Sequence, residues 1–227
     1  MRDFVLTSES VTPGHPDKLS DQISDAVVDA CLASEPPVGC VAECALASGV
    51  VFLSIRHGAP LAFDPATIAR RVLAEEGYGS DDTVGATVML DAVIVDDLPG
   101  PQGPGEAVAT RMSTALGHAC THTPERVPWP IRAAHDLTAR IEAAVREETV
   151  PGLSPDAQVQ VGARFAARRP VGLTGIAASF SSPSEEATPS LRAAVIEPFL
   201  EASDLPSEAS LRLDLRRVPG SGGPRVH

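Results

Sequence analysis

The first distinctive segment of the chain is TSESVTPGHPDKLSDQISDAVVDAC, residues 7–31. Its second half predicts an amphipathic helix over 16–32, because apolar residues recur there at helical spacing and a proline suits the first turn. The apolar residues are Leu19, Ile23, Ala26, Val27, Ala30 and Cys31. Asp21, Asp25 and Asp29 follow one another at four-residue spacing, and we interpret this acidic stripe as the solvated face of the helix.

The segments on either side of this helix predict a first unit in which strands and helices follow the order β-α-β-β-α-β. The predicted elements are a strand at 3–7, the helix at 16–32, strands near 38–46 and 49–57, a helix capped by Asp64 and ending at Gly77, and a buried strand at 86–95. Residues 107–119 are compatible with a further helix. This order predicts a mixed sheet with helices packed on one face.

A proline-rich linker at 124–130 precedes a second unit with the order α-β-β-α-β, which nearly repeats the first. Its predicted elements are an amphipathic helix with Ile131, Leu137, Ile141 and Val145 near one face, strands at 158–165 and 173–180 around a turn containing Arg168, Arg169 and Pro170, a helix from Thr188, and a strand at 210–218. We therefore expect an α/β (α+β) fold of two similar units, residues 1–123 and 124–227.

Composition excludes several classes of function. The net charge of −12 argues against sequence-independent nucleic-acid binding, which needs a basic surface. No apolar run approaches membrane-spanning length, and the polar N-terminus lacks the apolar core of a secretory signal. The four cysteines, Cys31, Cys40, Cys44 and Cys120, form neither a CxxC pair nor a zinc-binding spacing. We expect a cytoplasmic protein with reduced thiols and no membrane partner.

The core Gly14-His15-Pro16-Asp17-Lys18, with the residues around it, resembles the opening segment of S-adenosylmethionine synthetase (methionine adenosyltransferase). Weaker similarity continues through VAECAL, EEGYGSDD, VPWPIRAAH and LSPDAQVQV, at spacings that largely match the family as far as the closing GGP. The resemblance implies the N-terminal and central domains of an enzyme with three similar α/β domains, in a shortened form that lacks the third.

The resemblance also implies a reaction and its partners. In this family the sulfur of methionine attacks C5′ of ATP, and the intact triphosphate that leaves is then hydrolysed. Mg²⁺ and K⁺ are the implied cofactors. Family members are dimers with active sites at the subunit interface, so the expected partner is a second copy of this chain or a full-length homologue.

The same resemblance assigns roles to individual residues. His15 and Lys18 correspond to catalytic groups, and His15 and Asp156 belong to the ATP site. Asp17 corresponds to a magnesium ligand and Glu43 to the potassium-binding glutamate. The residue types suit these roles, because carboxylate oxygens bind hard cations and a helix N-terminus favours anions. Taken alone, the turn could be only a helix-capping loop, and Glu43 an ordinary exposed strand residue.

Several positions depart from the family pattern. Arg56 stands where the family has a glutamate that contacts the amino group of methionine, and Gln158 stands where it has an active-site lysine. A guanidinium favours a carboxylate or phosphate group, so Arg56 is a candidate substrate contact, unless the strand points it into solvent. Three hypotheses follow: retained adenosyl transfer, a repurposed enzyme with an anionic substrate, and a catalytically deficient paralogue that acts as a dimer partner.

Overall fold

The computed structural model describes residues 3–47, 49–79, 87–95, 98, 112–182 and 184–217. The chain divides into two compact units. One lies within Pro16–Leu116 and is called the α1 unit; the other combines Met1–His15 with Gly117–Pro224 and is called the α3 unit. None of the helices in the described ranges is long and apolar enough to cross a membrane.

Within its described residues, the α1 unit has two helices packed on one face of a mixed sheet. Its elements are α1 (Pro16–Leu32), β2 (Cys40–Ala47), β3 (Val50–His57), α2 (Pro65–Glu75) and β4 (Thr87–Ile94). The strand order is β2-β3-β4, with β2 antiparallel and β4 parallel to the central β3. The core between helices and sheet contains Leu19, Ile23, Val27, Val51, Leu53, Ile55, Ile68, Ala69, Val72, Leu73 and Tyr78.

Both helices of this unit begin where the sequence predicts. Helix α1 covers Pro16–Leu32, and helix α2 starts at Pro65 with Asp64 as its N-cap. The Asp64 carboxylate accepts hydrogen bonds from the Thr67 hydroxyl at 2.8 Å and from the Ala66 N–H at 3.0 Å. These bonds, chiefly the one from Thr67, hold the pKa of Asp64 below its usual value.

The α3 unit repeats the β-β-α-β order of the α1 unit and adds one strand at the edge. Its elements are β1 (Phe4–Val11), α3 (Trp129–Arg146), β5 (Ala157–Ala166), β6 (Arg169–Ser182), α4 (Ala187–Leu191), a π-helical turn (Arg192–Ile196), α5 (Glu197–Ala202) and β7 (Ser207–Arg217). The strand order is β1-β5-β6-β7, with β7 parallel to β6 and the other neighbours antiparallel. Helices and sheet enclose a core that includes Leu137, Ile141, Val159, Val161, Phe165, Phe180 and Val195. The predicted two-unit fold is confirmed.

Strand β1 does not join the sheet that its position in the sequence predicts. It precedes α1 in the chain, yet it pairs with β5 along its whole length, from Phe4 opposite Phe165 to Val11 opposite Gln158. The Phe4 and Phe165 rings stack with their centroids 5.1 Å apart. Every strand edge offers the same backbone N–H and C=O groups. The partner of β1 is therefore decided by which strand edge is free and by side-chain contacts such as the stacking of Phe4 on Phe165.

Two further predictions were wrong. The strand at 86–95 was expected to be buried, but Met89 is 56% exposed and Ile94 53% exposed on β4. In the part of the chain that the structure describes, β4 pairs with β3 alone and so lies at the edge of its sheet. Residues 112–119 form no helix, and residues 107–111 lie outside the described part of the chain.

Candidate functional site

Thr12 anchors the turn that carries the GHPDK motif. The residue is buried, and its N–H donates to the carbonyl oxygen of Ala157 at 2.9 Å. Its hydroxyl accepts a hydrogen bond from the Ala157 N–H at 2.9 Å and donates to the carbonyl oxygen of Pro155. One threonine thereby fastens the end of β1 to the start of β5.

Gly14 and His15 continue the turn against the same segment. A Cβ on Gly14 would collide with the Pro155 side chain and would lie 2.8 Å from the Pro155 carbonyl oxygen. The His15 N–H donates to the Thr12 carbonyl oxygen at 3.0 Å, which closes the turn. Asp156, which is buried, lies on the segment that receives these contacts. The fold therefore places the two predicted ATP-site residues, His15 and Asp156, on segments that pack directly together.

Removing the Thr12 hydroxyl tests this anchor. Thr12→Val keeps the shape of the side chain but leaves the buried Ala157 N–H without its acceptor, so we expect a loss of about 1–3 kcal/mol in the free energy of unfolding. Urea denaturation measures it. Thr7→Val, at an exposed position on β1, is the control. Equal stabilities of the two variants would contradict the anchoring role.

Asp17 and Lys18 stand in the first turn of α1, and both are exposed. Lys18 is the single lysine of the chain. No group of three or more His, Cys, Asp or Glu side chains that could hold a metal occurs among the described residues. The exposed carboxylate of Asp17 is of a type that suits Mg²⁺ bound with a nucleotide, because one or two carboxylates hold that ion while phosphate oxygens and water supply the other ligands.

Glu43 lies on the face of the α1-unit sheet that is turned away from the helices. We call this the open face; its exposed residues are Val41, Glu43, Ala45, Phe52, Ser54, Arg56, Met89, Asp91 and Val93. Glu43 is directly opposite Ser54 on β3, which in turn is opposite Asp91 on β4. A pocket of about 540 Å³ is lined by these three residues together with Phe52, Met89 and their neighbours. Its volume lies within the usual range for small-molecule sites.

Arg56 is exposed on the same open face, two residues beyond Ser54 on β3. It stands opposite Val41 on β2 and Val93 on β4, so it is the diagonal neighbour of both Glu43 and Asp91. The Arg56 side chain is accessible to solvent and equally to a ligand on this face.

Gln158, at the position of the expected lysine, lies on the exposed side of β5 in the α3 unit. Its side-chain Nε2 donates to Oε2 of Glu9 on β1, at 3.3 Å. A neutral amide bonded to a carboxylate supplies no positive charge on this side of β5.

Sequence reasoning missed three residues that shape these surfaces: Thr12, Ser54 and Asp91. Thr12 gave no signal, because its partners lie more than 140 positions away. Strand alternation could have revealed Asp91, since Met89, Asp91 and Val93 occupy alternate positions of TVMLDAVI and share one face. Large apolar residues are also exposed on the open face, where Phe52 is 43% and Met89 56% exposed.

Comparison with known proteins identifies the relatives of this chain. Residues 3–96 match the family profile "S-adenosylmethionine synthetase, N-terminal domain", and residues 106–213 match "S-adenosylmethionine synthetase, central domain". S-adenosylmethionine synthase of Salinispora tropica is 33% identical over 224 residues, which cover 88% of this chain and 56% of the relative. S-adenosylmethionine synthase 1 of Rhodospirillum rubrum is 35% identical over 188 residues, covering 79% of this chain and 49% of the relative. The chain thus spans about half the length of the curated relatives it matches.

Proposed function

Because this chain belongs to the S-adenosylmethionine synthetase family, we propose that it binds ATP with Mg²⁺ and transfers the adenosyl group to methionine or a related acceptor, with release of triphosphate. One observation carries the proposal. Gly14, the first residue of the motif, is held against the segment that bears Asp156 through the Thr12 hydrogen bonds and its own close contact with Pro155. A turn needed only to cap α1 would not require this fit.

In the proposed adenosyl transfer, positive charge and hydrogen-bond donors stabilise the negative charge on the leaving triphosphate. In the proposal the His15 imidazole donates to a phosphate oxygen, and the Lys18 ammonium balances charge at the N-terminus of α1. That N-terminus itself favours an anion. Asp17 would hold Mg²⁺, which neutralises part of the triphosphate charge when bound, and Glu43 would hold K⁺. Asp156 would contact the nucleotide.

The proposed partner is a second copy of this chain or a full-length homologue. The open face supports this proposal, because contiguous apolar residues on an exposed sheet mark interaction surfaces. Phe52, Met89 and Val93 are between 43% and 56% exposed there.

A second candidate function, an enzyme of this fold with an anionic substrate, is favoured by Arg56. Its guanidinium is exposed near the pocket that contains Glu43, where it would attract a carboxylate or phosphate and repel an ammonium. A third candidate is a non-catalytic paralogue that pairs with an active synthetase.

Reversing the charge at Arg56 separates the first two candidates. If the acceptor is methionine, Arg56→Glu is expected to raise kcat/KM for methionine by about 10–100-fold, as a charged hydrogen bond replaces a repulsion. If the acceptor is anionic, the same change lowers kcat/KM for that acceptor by a similar factor. Steady-state kinetics measure it, with Arg71→Glu on the outer surface of α2 as the control for net charge.

Incubation with ATP, Mg²⁺, K⁺ and methionine, followed by mass spectrometry, tests the proposal directly. S-adenosylmethionine together with phosphate and pyrophosphate supports it. ATP turnover that requires a different acceptor supports the second candidate. If neither turnover nor nucleotide binding by calorimetry is found while the protein still dimerises, both enzymatic proposals fail and the paralogue remains.

A further inference from the structure

The α3 unit contains a cavity of about 260 Å³ between helix α3, the segment that leads into it, and the end of α5. All the residues that line the cavity belong to the α3 unit, and none of them is assigned to the proposed adenosyl transfer. The volume is just below the usual range for drug-sized ligands. The cavity therefore suits a small ligand rather than a nucleotide.

Part of the lining is apolar and is held in place by a hydrogen bond. Trp129, Ala133 and Phe199 line the cavity, and all three are buried. The indole N–H of Trp129 donates to Oδ1 of Asp204 at 2.9 Å, which ties the first residue of α3 to the segment after α5. The only polar atom of the indole is thus already bonded, and the apolar part of the lining can accept the body of an apolar ligand.

The charged groups that line the cavity are three carboxylates and two guanidinium groups. Nε of Arg132 donates to Oε1 of Glu125 at 2.8 Å, and Nε of Arg140 donates to Oδ2 of Asp136 at 3.1 Å. Each arginine is therefore balanced by its own acidic partner. The exposed carboxylate of Asp204 accepts a hydrogen bond from the neutral indole and has no ion pair among the described residues. The lining is left with one negative charge, which is located on Asp204.

We propose that this cavity binds a small organic cation, an ammonium group attached to an apolar body. The ammonium pairs with Oδ2 of Asp204 while Oδ1 keeps its bond to the indole, and the apolar body lies against Trp129 and Ala133. A charged donor on a carboxylate that lacks a cation makes a strong hydrogen bond. An anion would instead have to draw Arg132 or Arg140 away from its carboxylate partner. The net charge of −12 on the chain also attracts a cation and repels an anion.

The test uses three ligands that share a phenyl ring and a short alkyl chain but differ in charge. Phenethylamine is the cationic probe, phenylethanol is neutral, and phenylpropanoate is anionic. Trp129 is the single tryptophan of the chain, so its fluorescence reports on this cavity during a titration of the full chain. Isothermal calorimetry measures each dissociation constant independently. We expect saturable binding of phenethylamine, and binding of the other two ligands that is weaker by about tenfold or more.

Asp204→Asn removes the charge and keeps a side-chain oxygen that can accept the hydrogen bond from Trp129. We expect it to weaken the binding of phenethylamine by about 10–100-fold, the usual value of one charged hydrogen bond. Glu201→Gln is the matched control, because Glu201 is an exposed residue of α5 that does not line the cavity. Asp91→Asn, on the open face, controls for binding in the pocket beside Glu43. Both controls should bind phenethylamine as wild type does.

The unliganded Asp204→Asn variant should have the melting temperature of wild type. If it does not fold, the comparison of phenethylamine with phenylethanol still decides the role of charge, because it needs no variant. Three results would each overturn the proposal: no saturable binding of phenethylamine in the millimolar range, equal or tighter binding of phenylethanol or phenylpropanoate, or unchanged binding of phenethylamine in a folded Asp204→Asn variant.

Discussion

Replacing His15 with alanine is expected to lower kcat for S-adenosylmethionine formation by about 10²–10³-fold, the usual cost of removing one donor aimed at a developing charge. The KM for methionine should change far less, because the imidazole is assigned to the phosphate end of ATP. His15 lies in a turn closed by its own N–H and anchored by Thr12, so truncating the side chain leaves the backbone contacts in place. Steady-state kinetics on the purified variant measure both constants.

The matched control is His118→Ala, which removes an exposed imidazole outside any helix or strand. Its kcat should equal that of the unaltered chain. If the His15 variant also keeps its turnover while the product is confirmed by mass spectrometry, the reaction belongs to some other group and the assignment of the motif is wrong. The His15 variant should melt at nearly the same temperature as wild type, which excludes loss of fold as the cause.

Placing a methyl group on Gly14 is expected to cost about 1–3 kcal/mol in the free energy of unfolding, as overpacking a closed contact typically does. The added Cβ would meet the Pro155 side chain, its carbonyl oxygen at 2.8 Å and its carbonyl carbon at 2.9 Å. Two of these atoms belong to the backbone and cannot rotate away, so the turn itself has to move. Since His15 follows directly, we expect ATP binding to weaken as well.

Differential scanning calorimetry of Gly14→Ala measures the stability, and isothermal calorimetry with ATP and Mg²⁺ measures the binding. For a chain of this length a loss of 1 kcal/mol lowers the melting temperature by about 2–4 °C. Gly117→Ala is the matched control, because an added Cβ there meets no atom within 4 Å. Equal melting temperatures for the two alanine variants would show that the turn tolerates displacement from Pro155.

Most of the local structure could be predicted from the sequence. Helix α1 was predicted over the range that it occupies, and α2 begins at the predicted Asp64 cap. The hairpin between β5 and β6 turns through Ala167 and Arg168, both with positive φ, close to where the sequence placed it. Each of these features depends on periodicity, capping or turn chemistry among a few neighbouring residues. A short stretch of sequence therefore contains all the information needed to predict it.

The candidate site was predicted only as a set of residues. The motif pointed to His15, Asp17 and Lys18 because they are adjacent, and resemblance added Glu43, Arg56 and Asp156. Nothing in the sequence indicated that Thr12 would bridge to Pro155 and Ala157, or that Asp91 would lie across Ser54 from Glu43. These hydrogen bonds and strand neighbours join positions that lie far apart in the chain. From the sequence alone, several other polar residues were equally able to occupy those places.

By itself, then, the amino-acid sequence determined the family, helices α1, α2 and α3, the repeated β-β-α-β order and the motif at 14–18. Only the tertiary structure decided that β1 pairs with β5 rather than with the strands that follow it, and that β4 stays exposed at an edge. The physical reason is that backbone hydrogen bonds are identical at every strand edge. Long-range pairing is therefore selected by packing, such as Phe4 on Phe165 and Gly14 on Pro155, which a linear pattern does not contain.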